Sequence, residues 1–229
     1  MKTVYTAIFG NHDDLKDPLI ITPGWRHICF TDQDLKSDVW EVIKVPVMEC
    51  GPVKTARNYK ILFHKHIESE FSLWIDATFV INVDLNVWWE QFFPPFTVIN
   101  HPYDNCIYKD AESCLALGRG NKKMIQRQVG FYKAMNIKRN SGLIASGILM
   151  RQNSVLVREF CNTWWRQVQN WSERDQIAYG FANHKHPNAI SKRLDWNYQV
   201  QTEFIHIPHI GKALRNEKMK NVYAQLQGE

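Results

Sequence analysis

Over its first hundred residues the chain alternates between short β-forming runs and one stretch of helical spacing, and this order constrains the fold more than any other feature. KTVYTAIFG (2–10), RHICFTD (26–32), WEVIKVPV (40–47) and FSLWIDATFVIN (71–82) are rich in β-branched and aromatic residues. Between the last two lies KTARNYKILFHKHI (54–67), whose apolar positions recur at three and four residues and predict a helix. Strands interleaved with a helix in this way pack as helices on a mostly parallel sheet, so the expected class is α/β. Chain length, 229 residues, suits one domain with a substantial core.

The second half has a different texture. CIYKDAESCLALGRGNKKMIQRQVGFYKAM (106–135) reads as one or two helices interrupted near Gly118 and Gly120, and SGLIASGILMR (141–151) as a strand. NSVLVREFCNTWWRQVQNW (153–171) reads as an amphipathic helix opened by Asn153 or Ser154. SERDQIAYGFANH (172–184) adds a helix in which Ser172 and Asp175 have the spacing of a capping pair. DWNYQVQTEFIHIPHIG (195–211) suits a last strand and turn, followed by a basic helical tail.

Composition excludes several classes. The N-terminus lacks the apolar core of a signal peptide, and no run approaches the roughly 20 apolar residues of a membrane span. The five cysteines form no CxxC pair, which argues against a zinc site or a disulfide framework and points to a reducing, cytoplasmic setting. Net charge is +5 but unevenly placed: Arg119, Lys122, Lys123, Arg127, Lys133, Lys138 and Arg139 follow one another with no acid between them. Lys212, Arg215, Lys218 and Lys220 form a second basic run. Such runs are either solvated faces or contacts for a polyanion such as nucleic acid or an anionic membrane surface. Most of the tryptophans, among them Trp88, Trp89, Trp164, Trp165 and Trp171, are expected in the core.

The carboxylate of Asp76 interrupts an apolar strand, where an ionised group is costly unless it is paired or binds a ligand. The loop GNHDD follows the first run, and Arg57, Lys60 and His64 share one helical face. Asp175 and Gln176 open a late helix, and His206 and His209 follow near the end. Each has a plain alternative: a polar turn, a solvated helix face, a strand end, a helix N-terminus or structural histidines. Together they supply, in order, what a nucleotide-sugar enzyme needs: a loop for the base, cations for a diphosphate, a carboxylate beside ribose or metal, and a polar group near the anomeric carbon.

The strings YTAIFGNHDDLKDP, CFTD, ARNYKILFHKHI, SLWIDATFVI, HPYDNCIYKDAESC, QVGFY, SGILMRQNS and RDQIAYGF carry a resemblance. Over residues 5–181 the chain resembles a GT-A glycosyltransferase-like family long described as a domain of unknown function, with bacterial, phage and plant members, the latter serving cell-wall and mucilage polysaccharide. The resemblance implies a single GT-A-like domain: a Rossmann-like nucleotide-sugar half over about 1–100, an acceptor-side half over about 101–211 and a basic tail over 212–229. It implies a UDP-sugar donor and transfer of a hexosyl or pentosyl group to a hydroxyl.

Carried onto this sequence, the resemblance places Gly10 and Asp13 in the donor loop, Thr31 and Asp32 near the base, and Arg57, Lys60, His64 and Lys212 on the diphosphate side. Asp76 takes the position of the first carboxylate of Asp-x-Asp, and Asp175 and Gln176 become the catalytic pair. Thr78 stands where the second carboxylate would be, and a hydroxyl is a poor ligand for Mg²⁺ or Mn²⁺. Two arrangements stay open: a divalent ion held by Asp76 and His209, or its electrostatic replacement by Arg57, Lys60 and Lys212. Asp175 would serve as base or as a carboxylate steadying an oxocarbenium-like transition state.

On the acceptor side, Arg119, Lys122, Lys123 and Arg127 fit two polyanionic acceptors, a glycan or lipid-linked acceptor at a membrane surface, or a hydroxymethylated base in DNA. A module that binds a nucleotide sugar or nucleic acid without turnover is the reading from another class.

Overall fold

A computed structural model describes residues 1–92 and 95–207. Its centre is a seven-stranded mixed sheet built from β1 (Lys2–Ile8), β2 (Trp25–Thr31), β3 (Glu41–Lys44), β4 (Phe71–Ile75), β6 (Phe96–Asn100), β7 (Ile144–Gln152) and β8 (Lys192–Leu194), in the order β3-β2-β1-β4-β7-β6-β8. The pairs β1–β2, β1–β4, β2–β3 and β6–β8 are parallel, whereas β7 runs antiparallel to both β4 and β6. The order reverses at β1, since β2 lies on one side of it and β4 on the other. In parallel α/β sheets the carboxyl ends of strands flanking such a reversal leave a crevice.

β1 shows why these runs are strands. Its residues alternate between two cores, Tyr5 and Ala7 joining one side, Val4 and Ile8 the other. The Tyr5 side is covered by α1 (Pro52–Ile61), α5 (Val155–Asn170) and α6 (Asp175–Lys185). The Val4 side is covered by α2 (Leu85–Gln91) and by a two-stranded ribbon of β5 (Phe79–Ile81) and β9 (Phe204–His206), with α7 (Tyr198–Glu203) leading into β9. A third cluster joins α3 (Ile107–Ala116) and α4 (Lys122–Ala134) to α6. This is the α/β, GT-A-like architecture of a mixed sheet flanked by helices. As expected, Trp88, Trp89, Trp164 and Trp165 are core residues, and the five cysteines are free thiols, Cys50 exposed and the others buried.

Three local expectations change. The helix foreseen over 54–67 is α1, which stops at Ile61, and Phe63–Lys65 form a separate 3-10 turn. The buried guanidinium of Arg151 ends it, donating from Nη1 to the carbonyls of Lys60 at 2.8 Å and Ile61 at 3.4 Å, acceptors a helix end leaves without partners. Ser172 does not cap α6, because its hydroxyl donates to Gln128 Oε1 at 2.5 Å while Asp175 turns inward. Residues 195–207 hold α7 before the short β9 rather than one strand, and the basic tail lies outside the described residues. No helix among the described residues is long and apolar enough to cross a membrane.

Contact between α3 and α6 depends on Gly180, where a Cβ would lie 2.6 Å from Ile107 Cδ1 and 2.7 Å from its Cγ2. Overfilling a packed interface costs about 2 kcal/mol, so Gly180→Val should lower the urea midpoint by that equivalent. A wild-type midpoint would show that the two helices can separate freely.

Candidate active site

At the reversal the carboxyl ends of β1 and β4 and the first turns of α1 enclose a cavity of about 250 Å³. Ala7, Ile8 and Phe9 form one wall, Pro52, Val53, Ala56 and Arg57 a second, and Trp74, Asp76, Ala77 and Thr78 a third, with His12 and Asp13 at the loop. A second cavity of about 300 Å³ adjoins it, lined by His101, Ser146, Gly147, Arg174, Asp175 and Gln176 among others. Arg57, Asp76 and Thr78 line both. The helix feeding Arg57 into this boundary follows Gly51 at its N-cap and starts at Pro52, where proline's missing N–H costs nothing.

Beneath the boundary lies a charge network. The Lys60 side chain is fully buried, and its ammonium meets Asp175 Oδ2 at 2.8 Å, Ser146 Oγ at 3.0 Å and Asp76 Oδ1 at 3.2 Å. Three partners satisfy its three N–H donors. Ser146 donates onward to Asp175 Oδ2 at 2.9 Å, and Trp74 Nε1 donates to Asp76 Oδ1 at 2.7 Å. Asp175 Oδ1 faces Arg57 Nε at 3.4 Å. Burial alone would push the Asp175 carboxyl up, but Arg57, Lys60 and Arg174 together outweigh it and hold the group well below the usual carboxylate range. Asp175 is therefore a fixed negative charge at neutral pH and a weak proton acceptor.

Arg57 differs from Lys60. Its side chain is 23% exposed, and among the described residues its guanidinium makes no hydrogen bond, only the ion pair with Asp175. A planar fork of unbonded donors at the junction of two cavities is suited to an oxyanion. Asp76 is likewise divided: Oδ1 is held by Lys60 and Trp74, while Oδ2 has no hydrogen-bond partner among the described residues. Gly147 makes this geometry possible: its carbonyl accepts from Asp76 N at 2.7 Å, and a Cβ there would come within 2.6 Å of the Phe79 ring.

The structure brings together Asp13, Arg57, Asp76, Asp175 and Gln176, with Lys60 under the cavities rather than in them. Lys60 was expected to face the diphosphate; its ammonium is instead saturated by the two carboxylates and Ser146. Gln176 is oriented by donation from Nε2 to Ile144 O at 2.8 Å. Gly10 and Asp32 brace the loop: Gly10, at φ 67°, donates its N–H to both Asp32 oxygens at 3.1 and 3.3 Å. Thr31 is buried and accepts at Oγ1 from Gln33 N. His64 leaves the helical face it was expected to share, because it sits in the 3-10 turn that follows α1. Lys122, Lys123 and Arg127 are exposed on α4, and neither they nor Arg119 line either cavity. Lys212 and His209 lie outside the described residues.

Sequence reasoning passed over Trp74, Ser146, Arg174 and His101. Trp74 had a signal, since it sits two residues before Asp76 within SLWIDA. Ser146 had none, because a serine in a strand is ordinary until a buried ammonium is found beside it. Among the described residues no three His, Cys, Asp or Glu side chains are grouped to hold a metal ion, and Lys60 stands between the two carboxylates nearest the boundary.

A mixed sheet with a crevice at its reversal, and a carboxylate ending the strand beside it, is the arrangement of the GT-A-like class. A family model described as TOD1/MUCI70, glycosyltransferase-like domain, matches residues 2–204, and the chain belongs to that family. It is also similar to a protein of Arabidopsis thaliana described as probable hexosyltransferase MUCI70, with 23% identity over 229 residues. That similarity covers 86% of this chain and 39% of the plant protein, so the chain spans well under half the relative's length.

Proposed function

We propose that this protein is a glycosyltransferase that moves a hexosyl or pentosyl group from a UDP-type nucleotide sugar to an acceptor hydroxyl. The observation that carries the reading is the meeting of two cavities at Arg57, Asp76 and Thr78. The nucleoside occupies the cavity between β1 and α1, and the sugar extends into the one bounded by Asp175 and Gln176. The diphosphate then lies at the junction, against Arg57 and the first turn of α1, where backbone N–H groups and the helix dipole favour an anion.

In the reaction the bond from the anomeric carbon to the diphosphate oxygen breaks, and its electron pair leaves with the diphosphate. The acceptor oxygen bonds to the anomeric carbon and its proton is lost. Arg57 stabilises the charge growing on the leaving oxygen. Asp175, with its low affinity for a proton, fits the steadying of positive charge at the anomeric carbon better than the role of base. Gln176 supplies a fixed dipole beside it.

The described residues do not fit a divalent ion: Asp76 offers one oxygen not already hydrogen-bonded, and Thr78 replaces the second carboxylate. The positive charge needed at the diphosphate comes in this reading from side chains. Release of UDP from a panel of UDP-sugars tests it, with Arg57→Ala as the diagnostic variant. The expected result is turnover of at least one donor, unchanged by EDTA, with kcat/KM reduced at least about a hundredfold in the variant. No UDP release from any sugar would sink the transferase reading, and turnover restored only by Mn²⁺ would sink the metal-free form of it.

A further inference from the structure

A third cavity, of about 660 Å³, opens beyond the second, and the two share His101. Its walls are residues 100–105, of which His101 and Pro102 also line the second cavity, and residues 140–143, with Lys109 and Arg193 at the edges; none of them belongs to the charge network. Backbone bonds hold the walls together, His101 N to Leu143 O at 3.1 Å and Gly142 N to Asn105 O at 3.0 Å. The string HPYDNC thus gains a place: it forms one side of this groove.

The chemistry of the groove is specific. Tyr103 is 91% exposed, a large aromatic side chain left in solvent on a wall otherwise polar. The side-chain amides of Asn105 and Asn140 have no hydrogen-bond partner among the described residues, so they remain available as donors and acceptors. The charges are already engaged. Lys109 pairs with Asp104 at 3.5 Å, and Arg193 donates to Tyr179 Oη at 2.5 Å, Asn183 Oδ1 at 3.3 Å and Asn100 Oδ1 at 3.4 Å. Arg193 lies against Gly142, at φ 100°, where a Cβ would come within 3.1 Å of the guanidinium and crowd it. Unengaged amides beside an exposed ring suit a neutral polyhydroxylated ligand, whose C–H face packs on the negative face of the ring while its hydroxyls pair with the amides. A nucleic acid would require unengaged cations for its phosphates. The basic residues Lys122, Lys123 and Arg127, which make no ion pair among the described residues, instead stand on α4 and do not line this groove.

We infer that this groove is the acceptor subsite, that it takes a neutral saccharide stacked on Tyr103, and that His101 marks where the acceptor hydroxyl enters the transfer cavity. The inference rests on the transferase reading, and the experiment separates the two. Binding of cellobiose, lactose and xylobiose to the whole protein is followed by saturation-transfer NMR, alongside a single-stranded oligonucleotide containing 5-hydroxymethylcytosine. Donor turnover without acceptor is measured in parallel. At least one disaccharide should bind, Tyr103→Ala should weaken it about fivefold to tenfold, and Tyr103→Phe should retain it, because the ring and not the hydroxyl makes the contact. Acceptor-independent UDP release should be the same in all three proteins. Absence of disaccharide binding, equal binding by Tyr103→Ala, or loss in that variant of oligonucleotide binding alone would each overturn the assignment. Absence of UDP release in every protein, with the disaccharides present as acceptors as well as without them, would instead strike the transferase reading.

Discussion

Asp175→Asn is expected to abolish transfer while leaving UDP affinity within a few-fold of wild type. The substitution keeps the side chain's shape and removes its charge. A preorganised charge at a reacting centre is worth about two to three orders of magnitude in kcat, and here it would be lost without disturbing the cavity between β1 and α1, which Asp175 does not line. Arg57, relieved of the carboxylate 3.4 Å away, would bind a diphosphate at least as well as before. The variant should also be less stable, because the fully buried Lys60 ammonium would keep only Asp76 as its counter-charge. Breaking a buried pair on one side costs about 3–5 kcal/mol, and the remaining carboxylate places the expected loss at the lower end. Wild-type turnover would remove Asp175 from the chemistry.

The same network sets a pH dependence. Because the folded protein holds the Asp175 carboxyl below its ordinary value of 3.8, its contribution to stability is complete above that value and is lost as pH falls through the lower, folded one. Thermal stability should therefore be insensitive to this group near neutrality and fall in strongly acidic solution. Asp175→Asn should lack that component of the acid transition.

Lys60→Met should have the largest effect on folding. Methionine fills much of the same volume, but Asp76, Asp175 and Ser146 would lose the cation that joins them. An uncompensated buried carboxylate costs about 3–5 kcal/mol at neutral pH, and Arg57, 3.4 Å from Asp175, offsets only part of it. Without Lys60 the Asp175 carboxyl takes up a proton more readily, so the deficit against wild type should narrow as pH is lowered into the carboxyl range. Equilibrium urea unfolding at several pH values measures both effects. A deficit independent of pH would show that Lys60 acts through packing rather than charge.

Much of the frame was legible in the chain. The alternation of strands and helix through Ile81 predicted a parallel-rich sheet, and the pattern of β1 is visible in KTVYTAI because residues on opposite faces of a strand enter different cores. Asp76 stood out because a carboxylate inside an apolar strand must have a partner, whereas Asp175, by spacing alone an ordinary helix N-terminus, was singled out by the resemblance carried in RDQIAYGF. His64 misled, since spacing alone extends a helix until something stops it, and what stops α1 is Arg151, 90 residues from Ile61 in sequence.

The sequence by itself determined which segments become strands and helices and which charged residues demand explanation. Those properties depend on local spacing and on the cost of burying charge. Only the tertiary structure decided what the charges do. Lys60 and Arg57 are three residues apart on one helix, yet the first is buried between Asp76 and Asp175 and the second reaches the junction of two cavities. Desolvation and the positions of β4, β7 and α6 separate them. Both depend on residues far apart along the chain, and no local pattern records them.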